Sequence, residues 1–508
     1  MMSKERYKLH PISAVVNFTK GLKDLIFPFV IVFVANGFQG SSSSNGHWTS
    51  YIPYIIGVLV LLFILLSGVI KWKRFVYWFE DDELRIEYGL FVKKKRYIPF
   101  ERIQSFNYTE SILHRPFKLV KVTIETAGSG STTEAEAELT AITKEAANQI
   151  KMELAFAKKR KLNKGLVDEI QETPNDQVNE ERKTNSVTIF KMNMKDLLIL
   201  AATSGGIGVV FSGVAVFMTQ FSDIIPYNVI YDEVIVFLKF GFFIIAISIF
   251  AFLIFSWIIS VILTTLNYYQ FTITQENDQI VLTRGLLEKK KVTIPIGRVQ
   301  GVRIVENPLR QLFGYCTVIV ESAGGSIEDQ DKKIRLFPLI KKSKIKQPLN
   351  QLFADFDFEP VWTTSPKRAK PFYYRLDFIW IIPVIVGISY FYYPYGLLSL
   401  LLVPIFVLLG LWQHRSAGLS LSRNQLSLRY RSISKYTFFI EKKRMQSLEM
   451  RQSPFQNRKA LASIETTIKS GMLGATAQVE HLQIEDIEEV MTWYEPSGHA
   501  VIEKGQPQ

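Results

Sequence analysis

Ile280–Gly324 reads IVLTRGLLEKKKVTIPIGRVQGVRIVENPLRQLFGYCTVIVESAG, and a related text occurs earlier in the chain. Shifted back by 196 positions, Leu84–Gly128 aligns with it without a gap and shares 16 of 45 residues, against about three expected from ordinary composition. The shared residues include Gly89-Leu90, Lys93-Lys94-Lys95, Ile98-Pro99, Arg102, Gln104, Glu110, Leu113, Phe117, Val122 and Glu125. A weaker third copy lies 146 positions beyond the second, with Arg444-Met445-Gln446 and Pro454 opposite Arg298-Val299-Gln300 and Pro308. Such a period is far too long for a solenoid turn, so each copy is expected to be a module with its own small core.

Within each copy the hydrophobic period is two. Leu84, Ile86 and Tyr88 alternate with Arg85 and Glu87, and Val122 and Ile124 alternate with Lys121, Thr123 and Glu125. Phe271 and Ile273 do the same in the second copy, and Leu426 and Leu428 in the third. One face of each strand then meets a core and the other water, which predicts antiparallel sheet or open barrel. Each copy ends in helical pattern. Thr143 is placed to cap a helix towards Lys159 with Ala146, Ala147, Ile150 and Leu154 on one stripe; Ile484–Tyr494 and a less regular stretch from Lys341 to Phe353 match it.

Apolar runs precede each copy in pairs: 25–38 with 51–70, 197–218 with 234–263, and 378–393 with 395–412. Most approach the roughly 20 residues a bilayer demands, the first and the third pair being shorter. The apolar content of 48% and the net charge of +13 fit spans that set basic flanks beside an anionic leaflet. The connections 39–50 and 220–233 hold no Lys or Arg, whereas Lys71, Lys73, Arg74, Lys191, Lys195, Lys367, Arg368 and Arg415 flank the opposite ends. The positive-inside rule therefore places both termini and all three modules in the cytoplasm.

The reading is six transmembrane helices in three hairpins carrying three cytoplasmic α+β modules. Residues 1–70 form the tail and hairpin 1, 71–162 module 1, 163–186 a polar linker, 187–266 hairpin 2 and 267–357 module 2. Residues 358–375 form a second linker, 376–413 hairpin 3, 414–496 module 3 and 497–508 a tail. Two spans followed by Gly-Leu, a basic run, Ile-Pro and an Arg-x-Gln triplet resemble the bacterial pleckstrin-homology-like membrane proteins, in the form with three copies on six spans. The resemblance covers essentially the whole chain, and it implies small barrels closed by a C-terminal helix. The third copy departs from the pattern: Arg431 replaces the turn glycine, and Ile-Pro is missing around Phe439-Ile440.

The Arg-x-Gln triplet recurs as Arg102/Gln104, Arg298/Gln300 and Arg444/Gln446. In a strand both side chains share a face, where a guanidinium fork beside an amide can hold an anion or brace neighbouring backbone. Bracing is the favoured reading, since duplicated folds keep their bracing. Lys93, Lys94 and Lys95, with Lys289, Lys290 and Lys291, are candidate contacts to anionic lipid, and solvated strand-edge lysines explain them as well. Ser204, Gly208 and Ser212 have the spacing of a helix-packing stripe.

Nothing here carries catalysis. The six histidines are scattered, no metal-ligand spacing occurs, no cofactor motif is present, and Cys316 reads as a small buried hydrophobe. The basic charge lacks any nucleic-acid motif. The function read from the chain is a non-enzymatic membrane scaffold whose tethered modules bind through avidity, with self-association as a second form of assembly. The resemblance implies a smaller membrane partner with one such module and a link to tolerance of membrane-active peptides. The alternative is a lipid-handling or transport protein in which the spans act and the modules regulate.

Overall fold

The computed structural model describes residues 6–22, 52–126, 137–164, 186–204, 242–323, 334–470 and 474–495. They fall into two compact units divided between Ile294 and Pro295.

Unit 1 opens with β1 (Tyr7–Lys8), a helical stretch over 12–22 and the apolar helix Ile52–Arg74. β2 (Val76–Glu80), β3 (Glu83–Tyr88) and β4 (Lys94–Pro99) join β1 in an antiparallel sheet of order β1-β2-β3-β4. A 3-10 turn, Phe100–Arg102, leads into β5 (Ile103–Glu110), β6 (Leu119–Thr126) and β7 (Ala137–Thr143), and the helix Lys144–Lys164 follows. Thr143 Oγ accepts from the Ala146 N–H at 3.1 Å, the cap that the sequence places there. Leu84, Ile86 and Ile98 from the first sheet meet Val122, Ile124 and Leu139 from the second, and Ala147 and Ile150 of the helix complete the core.

The second sheet does not end with the first module. β8 (Ser186–Lys191) precedes the helices Met194–Thr203 and Phe242–Tyr268, and β9 (Thr272–Glu276), β10 (Gln279–Arg284) and β11 (Lys289–Pro295) follow them. These four strands extend β5–β7 into one seven-stranded sheet, in the order β7-β6-β5-β11-β10-β9-β8.

Unit 2 repeats the arrangement. β12 (Val299–Glu306), β13 (Tyr315–Ser322) and β14 (Ile334–Lys341) precede β15 (Thr363–Thr364) and the helices Phe372–Phe391 and Leu402–Ser416. β16 (Gly418–Ser422), β17 (Gln425–Arg431) and β18 (Lys435–Glu441) complete a second seven-stranded sheet, β14-β13-β12-β18-β17-β16-β15. β19 (Met445–Arg451), β20 (Leu461–Ile468) and β21 (Ala475–Gln483) form a three-stranded sheet of their own, and the helix Ile484–Tyr494 lies over the core through Ile487 and Val490.

Among the described residues no sheet closes on itself, so in modules 1 and 3 the implied barrel is a pair of sheets around a shared core. Among the described residues three helices are long and apolar enough to cross a bilayer, at Ile55–Arg74, Phe250–Tyr268 and Gly396–Ser416. The bent pair Lys367–Arg375 and Trp380–Phe391 makes a fourth if it is one span. The run 25–38 and the greater part of 197–218 lie outside the described residues.

One feature was not read from the sequence. Each apolar segment is preceded by a strand that pairs with the strand following it: β1 with β2, β8 with β9, and β15 with β16. The apolar segments are therefore inserted in the chain between adjacent strands of one sheet. Trp72 Nε1 donates to the Leu9 carbonyl at 2.9 Å, and the Met192 N–H to the Phe271 carbonyl at 3.0 Å, fastening the ends of the first two segments to the strands beside them.

Candidate functional site

Residues repeated in all three modules occupy the corner between the two sheets. Arg102, Arg298 and Arg444 each end a 3-10 turn, Phe100–Arg102, Ile296–Arg298 and Lys442–Arg444. Gln104, Gln300 and Gln446 sit where the register of β5, β12 and β19 slips, between Ile103/Ser105, Val299/Gly301 and Met445/Ser447. The triplet thus straddles a turn and a bulge instead of lying along a straight strand, and a bulge at this place bends the chain from one sheet into the next. Gln300 Nε2 donates to the Arg298 carbonyl at 3.0 Å, and that carbonyl also accepts from the Ala323 N–H at 3.1 Å. Arg444 Nη2 donates to the Gly297 carbonyl at 2.7 Å. Gln446 and Arg102 are exposed.

The corner aims β5 and β12 at the module that follows. In unit 1, β5 pairs antiparallel with β11, setting Glu110 opposite Lys289, Thr109 opposite Lys290 and Tyr108 opposite Lys291. Asn107 Oδ1 accepts from the Thr293 N–H at 3.0 Å, continuing the joint by one side-chain bond. Behind Asn107 the buried Glu125 carboxylate accepts from Ser105 Oγ at 2.6 Å and from Asn107 Nδ2 at 3.4 Å. Lys151 and Lys291 lie 3.2 and 3.4 Å from Glu276; burial pushes that carboxyl up, but the two ammonium groups outweigh it and hold the pKa below the ordinary value.

In unit 2 the joint is longer. β12 pairs with β18 from Gly301/Ile440 to Glu306/Lys435. Glu306 takes Lys435 at 3.2 Å and Lys342 at 3.3 Å, as Glu110 takes Lys144 at 2.9 Å in unit 1. The positions of Asn107 and Glu125 are here Arg303 and Glu321, 3.4 Å apart with side chains 7% and 0% exposed. Arg303 also stacks 4.4 Å over the Phe438 ring and donates to the Thr476 carbonyl, and Ser470 Oγ donates to Glu321 at 2.7 Å. Gly301 is needed for the approach: a Cβ there would lie 2.8 Å from the Phe438 ring.

The two lysine runs consequently have different surroundings. Lys289–Lys291 belong to β11 and lie in the joint. Lys93 precedes β4, Lys94 and Lys95 belong to it, and all three are exposed. Lys93 and Lys95 reach the buried Glu87 at 2.6 and 3.3 Å, and the Lys93 hydrogen bond is the chief reason its carboxyl is held below the ordinary range. β4 borders the tip of the β3–β4 hairpin, where Phe91 and Val92 are 81% and 71% exposed. That tip is held to the end of an apolar helix, with Arg74 Nη1 donating to the Leu90 carbonyl at 2.6 Å. The Leu286 N–H bonds to the Leu266 carbonyl at 2.8 Å, and Gln413 Nε2 to the Ser432 carbonyl at 3.3 Å, in the other two modules.

Of the helix-packing stripe, Ser204 lies just beyond the helix Met194–Thr203 and donates to the Leu200 carbonyl at 2.6 Å; Gly208 and Ser212 lie outside the described residues. Burial raises the Cys316 thiol to about 12, which keeps it protonated and unreactive. Sequence reasoning did not identify Glu125, Glu321 and Glu110 as joint residues. The available signal was a carboxylate kept at the same strand position in both copies, Glu110 with Glu306 and Glu125 with Glu321.

The family described as Bacterial PH domain matches residues 27–157, 229–352 and 378–497. The chain is similar to the UPF0699 transmembrane protein YdbT of Bacillus subtilis (strain 168), at 35% identity over 507 residues that cover 97% of this chain and 99% of the relative. No solved structure matches it.

Proposed function

The chain belongs to the bacterial PH domain family, as a relative of the transmembrane protein YdbT, and from that premise we propose that it is a non-enzymatic membrane scaffold. In this reading six spans in three hairpins cross the bacterial cell membrane, and the three modules and both termini lie on its cytoplasmic side. The observation that supports it is the pair of strand joints, β5 with β11 and β12 with β18, which turn tethered modules into continuous sheet. Sheet built this way offers long backbone edges, and strand addition to an edge is a common mode of protein recognition. The exposed hairpin tips lie against the lipid headgroups, where a basic side chain beside them contributes about 1 kcal/mol of attraction to anionic lipid. The scaffold's partner is a smaller membrane protein with one PH-like module, and the complex protects the envelope against membrane-active peptides.

The test is recovery of the tagged chain from its own membranes in mild detergent, followed by mass spectrometry. A stoichiometric smaller membrane protein with one such module is expected. The chain alone, retaining a defined lipid, would overturn the scaffold.

A lipid-handling protein is the second reading, favoured by a cleft of about 250 Å³ lined by Tyr373, Gln413, Tyr430, Arg431, Gln478 and Glu480, at the foot of the helix Leu402–Ser416. Bulky residues in place of Ser204, Gly208 and Ser212 separate the two: loss of the phenotype with the complex intact favours the spans as the working part.

A further inference from the structure

We propose that the edge of β4 is the docking site for an acidic-ended strand from a PH-like module on a separate polypeptide; this deepens, and rests on, the scaffold reading. In both joints a strand of the β5 type pairs with the β4-type strand of the following module. β11 and β18 are thereby covered, whereas among the described residues β4 ends its sheet with nothing beyond it. The edge is long: Lys94, Lys95 and Tyr97 are exposed, and Ile98 begins the buried core. Tyr97 corresponds to Thr293, whose N–H points across the joint to Asn107.

The register of the joints specifies what fits. Glu110 faces Lys289 and Glu306 faces Lys435, and the equivalent position at β4 is Lys93. An incoming strand therefore carries a carboxylate opposite Lys93 and an uncharged residue opposite Lys94, where Thr109 faces Lys290. Glu87 is held by Lys95 as well as by Lys93, at 3.3 and 2.6 Å, so Lys93 can turn to an incoming carboxylate while Lys95 keeps Glu87 paired.

A second copy of this chain is the obvious competitor, because β19 also ends its sheet among the described residues. Its side chains argue against it. Gln452 stands where Glu110 and Glu306 stand, and Arg451 would face Lys94. Arg451 is committed to Glu449 and Glu465 at 3.0 and 2.9 Å. Two β4 edges would set Lys94, Lys95 and Arg96 against themselves, and like charges directly opposite destabilise a strand pair. The fitting occupant is thus another chain.

The full-length protein in its own membranes is tested with a photo-crosslinking residue at Lys94 and, as a control, at the exposed Gln446 on β19. The expected result is a crosslink from position 94 to a second polypeptide, mapping to a strand with Asp or Glu at its end. Lys94→Glu should lower recovery of that polypeptide on the order of tenfold, while Gln446→Glu leaves it unchanged. A crosslink from 94 to β19 of the same chain makes the site a self-assembly edge and overturns the proposal. So does a partner recovered undiminished from Lys94→Glu, which leaves the scaffold standing. If the unsubstituted chain recovers no partner, the scaffold itself fails.

Discussion

Removing either member of the Arg303–Glu321 pair should loosen unit 2 more than removing both. The two side chains are 7% and 0% exposed and 3.4 Å apart, so Glu321→Leu leaves a guanidinium buried beside Phe438, and Arg303→Leu leaves a carboxylate whose other neighbour is Ser470. Breaking a buried pair on one side costs about 3–5 kcal/mol, whereas replacing both groups with apolar side chains is often near neutral. At the lower figure, amides that open with the joint exchange on the order of 100-fold faster. Hydrogen exchange of the detergent-purified chain, followed at β12 and β18, reads this directly. Arg303→Asn should cost less than Arg303→Leu, because it restores the arrangement of Asn107 and Glu125 in unit 1. Additive single and double substitutions would refute the reasoning, since they would show that the two groups do not depend on each other.

Three other outcomes follow from the same geometry. Gly301→Val should destabilise the β12–β18 pairing by about 1–3 kcal/mol, because its side chain meets the Phe438 ring, Ile468 and the Phe439 carbonyl; faster exchange at those strands checks it. Gly89→Ala should disorder the β3–β4 tip, seen as new protease cleavage near Val92, since Gly89 has φ +139° and a Cβ would lie 1.9 Å from the Val92 oxygen. Module 3 should lose stability as pH falls from about 6.5 towards 4, and His481→Gln should remove that slope in thermal melts. Burial lowers the His481 pKa to about 4, so below the unfolded value the unfolded chain binds the proton and the folded chain does not. The loss is on the order of 3 kcal/mol once pH reaches the folded value. Gln456 Nε2 lies 2.8 Å from His481 Nδ1, the Phe372 and Tyr373 rings pack on it, and Glu480 at 3.7 Å is the charged group facing it.

The modules themselves were legible because their signals are local. Alternation at Leu84, Ile86 and Tyr88 gives β3, Thr143 gives a helix start, and Gly89 and Gly285 give two tips that tolerate no Cβ. Arg431 in place of the third glycine also makes physical sense: its guanidinium lies 3.8 Å over Trp412 and bonds Ser416 Oγ and the Ile433 carbonyl, so a side chain holds the third tip. What the sequence hides is non-local. Tyr7–Lys8 and Thr363–Thr364 are too short to show any period, yet each is the edge strand of a sheet. Lys289–Lys291 look solvated in one dimension, because nothing in their own neighbourhood announces Glu110, 179 positions away in the chain. A strand edge reads the same whether its neighbour is in its own module or in the one before. Only the repeated acids Glu110 and Glu306 marked which.

Insertion of each apolar segment between adjacent strands gives the sheet a mechanical role. A segment so placed is a loop whose neck is a short ladder: five register pairs between β8 and β9, but two between β1 and β2 and two between β15 and β16. A sideways force that spreads the two ends of such a segment loads the ladder at its first rung, before the core behind it is disturbed. The middle neck therefore resists longest, and the outer two are where strands separate first.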